Sequence, residues 1–313
     1  MSVAFLFPGQ GSQHPGFLHT LPGHATVVRT LQEASDLLGR SAIELDSEEA
    51  LRSTVAVQLA LLVAGVASAR MMREEGVEPE AVAGLSVGAF GAAVACGALA
   101  FADSVRLVQQ RATLMERAFP HGYGLSAIVG LTEPQVAQLV QRAHSDATPV
   151  FVGNINAPRQ IVIAGADAPM RQVIDAALAL GARKAERLPV AVPSHCPLLA
   201  PVAEALRDTL RGMTMQRPAV PYIGNVRARV LRTGDAIAED LASNIAHGVR
   251  WYETTAVLTE LDCRLLVEMQ PGHVLRDLAT EAFPDVRSVA MDTMSASHVH
   301  RLARLAAAPG EPR

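Results

Sequence analysis

The chain of 313 residues is half hydrophobic and carries 27 basic against 31 acidic side chains, a formal charge of -4 with histidine neutral. That is ample apolar material for one large domain or two unequal ones, and the lack of a basic stripe with interleaved aromatics argues against nucleic acid as a partner. Cys96, Cys196 and Cys263 stand far apart with no CxxC or metal spacing, which fits a reducing compartment and argues against a disulfide framework.

The N-terminus, "MSVAFLFPGQGSQ", has no positive n-region and meets Pro8 after a very short apolar run, so it does not read as a secretory signal and the cytoplasm is the expected location. Residues 3 to 7 predict a buried strand stopped by "PGQGSQ", whose Pro and Gly enforce a loop placed to bind. From Val55 to Met72 the chain is apolar nearly all round, as in a helix sandwiched within a core. "EPEAVAGLSVGAF" then predicts a short strand ending at Gly84, with a turn and a helix around Ser86. The longest apolar stretch, Val87 to Ala102, is shorter than the roughly 20 residues of a spanning helix and is rich in Ala and Gly, so it predicts a buried helix and no membrane partner.

Between Gly124 and Leu188 the units shorten. "LSAIVG" reads as a strand, "EPQVAQLVQRAH" as a helix with Pro134 in its first turn, and "PVFVGNIN" and "RQIVIAG" as two strands joined through Ala157 and Pro158. A helix at "APMRQVIDAALALG" and a strand at "ARKAERLPV" complete a β-α-β-β-α-β unit of the ferredoxin-like kind. The expected organisation is therefore a small domain inserted into a larger α/β domain, re-entered at "VPSHCP". Beyond it "VPYIGNV", "NIAHGVRWYETTAVLTEL" and "CRLLVEMQPGHVL" alternate strand and helix. His298 and His300 of "HVH" read as a solvated tail feature, and a polar Ala/Pro-rich tail starts near Ala306.

Gly84-Leu85-Ser86-Val87-Gly88 has the spacing of a nucleophile elbow, in which small residues two before and two after a serine let a strand turn sharply into a helix. The alternative is chance packing in an Ala/Gly-rich segment. A serine nucleophile needs a base, and among ten histidines His195 lies at a strand-to-helix border between Pro193 and Pro197. A helix-capping histidine would look the same. Arg111 falls among Leu107, Val108, Leu114 and Met115 at helical spacing. A guanidinium buried there needs a partner, either a group of the protein or a substrate carboxylate that matches its planar fork.

The blocks "FLFPGQGSQ", "GLSVGAFGA", "QQRATLME", "NINAPRQIVIAG", "VPSHCPLL", "GVRW" and "EMQPGHVL", in this order, resemble the malonyl-CoA:acyl carrier protein transacylase family over nearly the entire chain. The resemblance implies an α/β-hydrolase-like acyltransferase domain, residues 1–122 and 189–313, carrying a ferredoxin-like subdomain, residues 123–188. It implies Ser86 as nucleophile toward malonyl-CoA, His195 as base, and an oxyanion hole from the backbone N–H groups of Gln10 and Val87. It further implies that Arg111 grips the malonyl carboxylate, that Asn154 and Asn156 shape the cleft near it, and that the backbone carbonyl of Asn244 orients His195. No metal and no cofactor are implied.

The elbow departs from the housekeeping pattern, with Leu85 and Ala89 where His and Glu are usual and Gln270 where a glycine is common. "GLSVGAFGAAV" looks more like the epsilon, transacylase subunit of bacterial malonate decarboxylase. That likeness implies as acceptor the decarboxylase's acyl carrier protein, with its phosphoribosyl-dephospho-CoA group. The alternatives are the fatty-acid-synthesis transacylase, an acyl-CoA serine hydrolase, and a catalytically silent carrier-docking subunit. Carrier docking is expected on diffuse basic residues that include Arg183 and Lys184, for which an ordinary solvated face is the alternative.

Overall fold

The computed structural model describes residues 2–119 and 121–307. Strand β1 (Ser2–Phe7) runs through the larger sheet with residues 3 to 7 at most 6% exposed. Flanked on both faces, such a strand must be apolar at every position, hence the unbroken "VAFLF". After α1 (Ala25–Leu38) comes α2 (Thr54–Glu74), long and apolar enough to cross a membrane but with 89% of its most apolar 18-residue window buried within the protein, as in a core helix. Strand β2 (Ala81–Gly84) pairs in parallel with β1, Phe7 opposite Gly84, so the loop after β1 and the turn after β2 emerge side by side.

The apolar stretch Val87 to Ala102 is not one helix. Helix α3 (Gly88–Ala95) stops and α4 (Phe101–Ala118) starts afresh. Gly97 adopts φ 75°, and Gly97 N donates to Val94 O and Ala98 N to Ala93 O at 3.0 and 2.9 Å, a Schellman stop that satisfies the last carbonyls of α3. Uniform hydrophobicity hides that stop, because glycine in a small-residue run carries no other mark.

The chain then builds β3 (Tyr123–Val129), α5 (Glu133–Ala143), β4 (Val150–Ala157), β5 (Gln160–Ala166), α6 (Asp167–Ala179) and β6 (Lys184–Arg187). These strands form an antiparallel sheet in the order β4-β5-β3-β6. It is stitched to the rest of the protein where Ile155 N donates to Val249 O at 2.8 Å and Val249 N to Gly153 O at 2.9 Å.

Beyond it come α7 (Ala200–Arg211), β7 (Tyr222–Ile223), β8 (Val230–Leu231), α8 (Gly234–Ser243), α9 (Trp251–Glu260), β9 (Cys263–Glu268), α10 (Val274–Ala282), β10 (Arg287–Ala290) and α11 (Ala296–Ala307). The larger sheet has the order β10-β9-β1-β2-β7-β8 and is parallel except for the β7-β8 hairpin. His298 and His300 do not lie on a solvated tail: they belong to α11, whose Val299 between them is fully buried and which packs on β1 and β9. The Ala/Pro-rich tail lies, from residue 308 onward, outside the described residues.

Glu268 closes β9 and is fully buried, with Oε2 accepting from Arg276 N at 2.7 Å and Oε1 without a partner among the described residues. Burial pushes its carboxyl up to about 7. A folded-state value above the unfolded one means that the folded protein holds the proton more tightly. Stability from this group is therefore full below about 4.5 and is lost as pH rises through about 7. Glu268→Gln keeps an acceptor for Arg276 N and abolishes the titration. In urea unfolding, the variant should gain on the parent by up to about 3 kcal/mol between pH 5 and pH 8. A stability difference that does not change with pH would contradict this reading.

Candidate active site

Ser86 follows β2 with φ 56°, a left-handed conformation unusual outside glycine. The turn demands small flanks: a Cβ on Gly84 would lie 2.1 Å from the carbonyl carbon of Gly88, and one on Gly88 would lie 2.1 Å from the carbonyl oxygen of Phe7. Any side chain at either position would push β2, α3 and the end of β1 apart, which is the physical content of the Gly-x-Ser-x-Gly frame. The strained turn is bracketed by the buried amide of Asn225, whose Oδ1 accepts from Ser86 N at 3.0 Å and whose Nδ2 donates to Gly84 O at 2.9 Å.

His195 is 2% exposed and also left-handed, φ 66°. It is held by the C-terminal end of α8: its N–H donates to Ile245 O at 2.7 Å and Nδ1 donates to Asn244 O at 2.7 Å. A carbonyl can only accept, so Nδ1 carries the proton and bare Nε2 accepts from the Ser86 hydroxyl at 2.8 Å. Burial, and then the positive charge of Arg111, pull the imidazole down to about 4, against a weaker upward pull from its bond to Asn244. At neutral pH it is therefore an uncharged base already bonded to a hydroxyl. Its neighbour Cys196 does not compete, because burial raises that thiol to about 12 and Sγ donates to Pro193 O at 3.1 Å.

Arg111, on α4, is completely buried, and among the described residues no carboxylate pairs with it. Nη1 donates to Gln58 Oε1 of α2 at 2.5 Å and Nη2 to Ser86 Oγ at 3.1 Å, while Nε has no partner among the described residues. Burial lowers the guanidinium to about 9, so it remains a cation at neutral pH. A buried charge with only neutral partners is incompletely compensated, and an anionic ligand beside Ser86 would complete it.

The "PGQG" loop lies against the elbow, since Gly9 fits only because it lacks a Cβ, which would come 2.8 Å from Leu85 O. Among the described residues, neither the Gln10 nor the Val87 N–H donates to a protein acceptor. These donors sit where a parallel sheet presents its strand ends and a helix begins, a setting suited to negative charge.

Ser86, His195, Arg111 and the Asn244 carbonyl are thus brought together. Asn154 and Asn156 are not joined to the arginine: among the described residues their Oδ1 atoms have no hydrogen-bond partner. Strand β4 belongs to the other sheet, and its backbone is committed to the segment at Val249, which places Asn154 beside that segment. Leu85 packs half-buried against Gly9 and Ala89 is fully buried, while Gln270 accepts from Ser68 Oγ at 3.3 Å within the core. Lys184 is paired with Glu186 at 2.6 Å. Gln58, Asn225 and Asp240 are site-building residues with no motif of their own. Only Gln58 carries a local hint, as an amide inside the otherwise apolar first turns of α2. Among the described residues no cluster of His, Cys, Asp or Glu is arranged to hold a metal ion.

The family described as "Acyl transferase domain" matches residues 4–304. The malonyl CoA-acyl carrier protein transacylase of Escherichia coli (strain K12) is 36% identical over 311 residues, 97% of this chain and 98% of that one. The solved malonyl CoA-acyl carrier protein transacylase of Coxiella burnetii superposes with a TM-score of 0.92 at 33% identity, covering 97% of each chain. A malonyl-transacylase solved in complex with a type II polyketide-synthase acyl-carrier protein gives a TM-score of 0.90 at 34% identity, covering 95% of this chain and 97% of that one.

Proposed function

This chain belongs to the acyl transferase domain family, and on that premise we propose that it is a malonyl-CoA:acyl carrier protein S-malonyltransferase working through a serine ester. The observation that carries the reading is that Ser86 Oγ meets both a neutral imidazole, at 2.8 Å, and an incompletely compensated guanidinium, at 3.1 Å. One oxygen thus has a base to activate it and a cation to recruit a carboxylated acyl group.

Ser86 Oγ attacks the thioester carbonyl of malonyl-CoA while His195 Nε2 takes its proton. The oxyanion is received by the N–H groups of Gln10 and Val87. Collapse breaks the C–S bond, and the imidazolium returns the proton to the departing CoA sulfur. The carrier thiol repeats the sequence in reverse, giving its proton to His195 and restoring the Ser86 hydroxyl. Arg111 holds the free carboxylate through its Nε and Nη2 edge, since Gln58 occupies Nη1. A serine hydrolase with an acid-oriented histidine is disfavoured, because a backbone carbonyl fills the orienting position.

The acceptor we favour is an acyl carrier protein of the fatty-acid or polyketide type, because two of the similar proteins named above carry an acyl carrier protein in their names and the third was solved with a type II polyketide-synthase one. The malonate decarboxylase carrier implied by the apolar elbow finds no counterpart among those three, and Leu85 and Ala89 serve packing. The test is intact mass: mixing with malonyl-CoA should add one malonyl group and release CoA, with no adduct in Ser86→Ala. The adduct should then discharge faster onto an acyl carrier protein than onto the decarboxylase carrier. The opposite preference would restore the decarboxylase reading, and release of malonate without transfer would favour the hydrolase.

A further inference from the structure

Asp240, on α8, is 8% exposed, and no arginine or lysine is salt-bridged to it among the described residues. A buried carboxylate is costly unless its lone pairs are filled. Here backbone donors fill them: Asn225 N reaches Oδ1 and Oδ2 at 3.0 and 3.1 Å, and Val226 N reaches Oδ1 at 3.2 Å. The same Asn225 brackets the left-handed Ser86 turn with both ends of its amide. The main-chain oxygen of Asp240 accepts from Asn244 N at 2.9 Å, one helical turn before the carbonyl that holds His195 Nδ1.

We propose that Asn225 and Asp240 are a positioning pair that ties the backbone of Ser86 and the carbonyl behind His195 into one frame, so that a carboxylate touching neither side chain sets their hydrogen bond. The proposal rests on the reading of Ser86 as nucleophile and His195 as base. Without the bracket, Ser86 N and Gly84 O would be unpartnered at a turn with left-handed strain, and the elbow would relax away from the base. Arg111 and Gln58 stand on α4 and α2 and bond neither Asn225 nor Asp240; the one link of Arg111 to the frame is its bond to Ser86 Oγ, and Gln58 still holds the guanidinium for the acyl carboxylate when the frame relaxes.

Asn225→Ala should slow CoA release from malonyl-CoA by about 100-fold in kcat, the cost of a small misplacement of reacting groups. KM for malonyl-CoA should stay within about threefold, and the malonyl over acetyl preference should be retained. Asn225→Asp keeps the acceptor for Ser86 N and loses the donor to Gly84 O, so its kcat should fall between parent and Asn225→Ala. Asp240→Asn should show the same split between kcat and KM, and combining it with Asn225→Ala should cost no more than the worse single change, because both act on one network. Thermal melts identify any variant that fails to fold. If Asn225→Ala does not fold, Asn225→Asp and Asp240→Asn carry the test. Acylation of Ser86 at the parent rate in the folded variants overturns the pair, as does loss of the malonyl preference in step with kcat. Persistence of the malonyl adduct in Ser86→Ala would instead overturn the nucleophile assignment on which the proposal rests.

Discussion

His195→Ala is expected to lower kcat for malonyl transfer by about 10⁴-fold or more, with KM for malonyl-CoA little changed. The hydroxyl of Ser86 is a poor nucleophile unless its proton leaves in the transition state, and among the described residues the 2.8 Å bond to His195 Nε2 is its only contact with a base. Arg111, the other neighbour, donates and cannot accept. The same geometry sets a pH profile. A base must be unprotonated to act, and burial with the adjacent guanidinium places the His195 transition at about 4. In the parent enzyme, kcat/KM should therefore vary by no more than about twofold from pH 5.5 to pH 8, with no limb near 6.5, the usual histidine value. A limb near 6.5 would mean that His195 is not held in the buried, charge-flanked state described here. Steady-state rates of CoA release across that range measure both effects.

Arg111→Ala should abolish most of the preference for malonyl over acetyl donors, by about 3 kcal/mol or somewhat more than 100-fold in kcat/KM. The guanidinium is fully buried, and its protein partners, Gln58 and Ser86, are neutral. A malonyl carboxylate therefore meets a desolvated cation whose charge no protein carboxylate has neutralised, whereas an acetyl methyl leaves that cation unanswered. Arg111→Lys should recover only part of the discrimination, because a point charge cannot hold Gln58 and a carboxylate in one planar fork. Competition assays with malonyl-CoA and acetyl-CoA decide the matter. An unchanged ratio in Arg111→Ala would remove the arginine from acyl selection.

The two residues are held by different layers, although the charge of Arg111 also acts on His195. His195 hangs from the end of α8, whereas Arg111 is gripped through α2 and α4. A change in the base should leave donor selectivity in place, whereas loss of the arginine's charge should move the His195 transition upward from about 4, with burial still holding it below the usual histidine value.

Much of this architecture is legible in the linear chain because it follows from local sterics and from periodicity. "VAFLF" can only be a strand covered on both faces. Gly84 and Gly88 around a serine announce a turn in which no Cβ fits. The β-α-β-β-α-β order shows in the spacing of short apolar units. Two readings differ from the structure. The Val87 to Ala102 stretch breaks at Gly97 because a Schellman stop leaves no trace in hydrophobicity. "HVH" lies on α11 and not on a tail, anchored by the buried Val299 while His298 stays exposed.

By itself, then, the amino-acid order determined the strands, the elbow and the residue types that the proposed chemistry at Ser86 requires. Only the tertiary structure decided what surrounds them. Gln58 meets Arg111 across 53 positions and Asn225 reaches Ser86 across 139. Such pairings arise because burial strips water from polar groups and forces each to find a partner wherever the packed chain supplies one. The group that orients His195 is a main-chain carbonyl, which every residue possesses, so only the family resemblance pointed to Asn244 before the hydrogen bond itself.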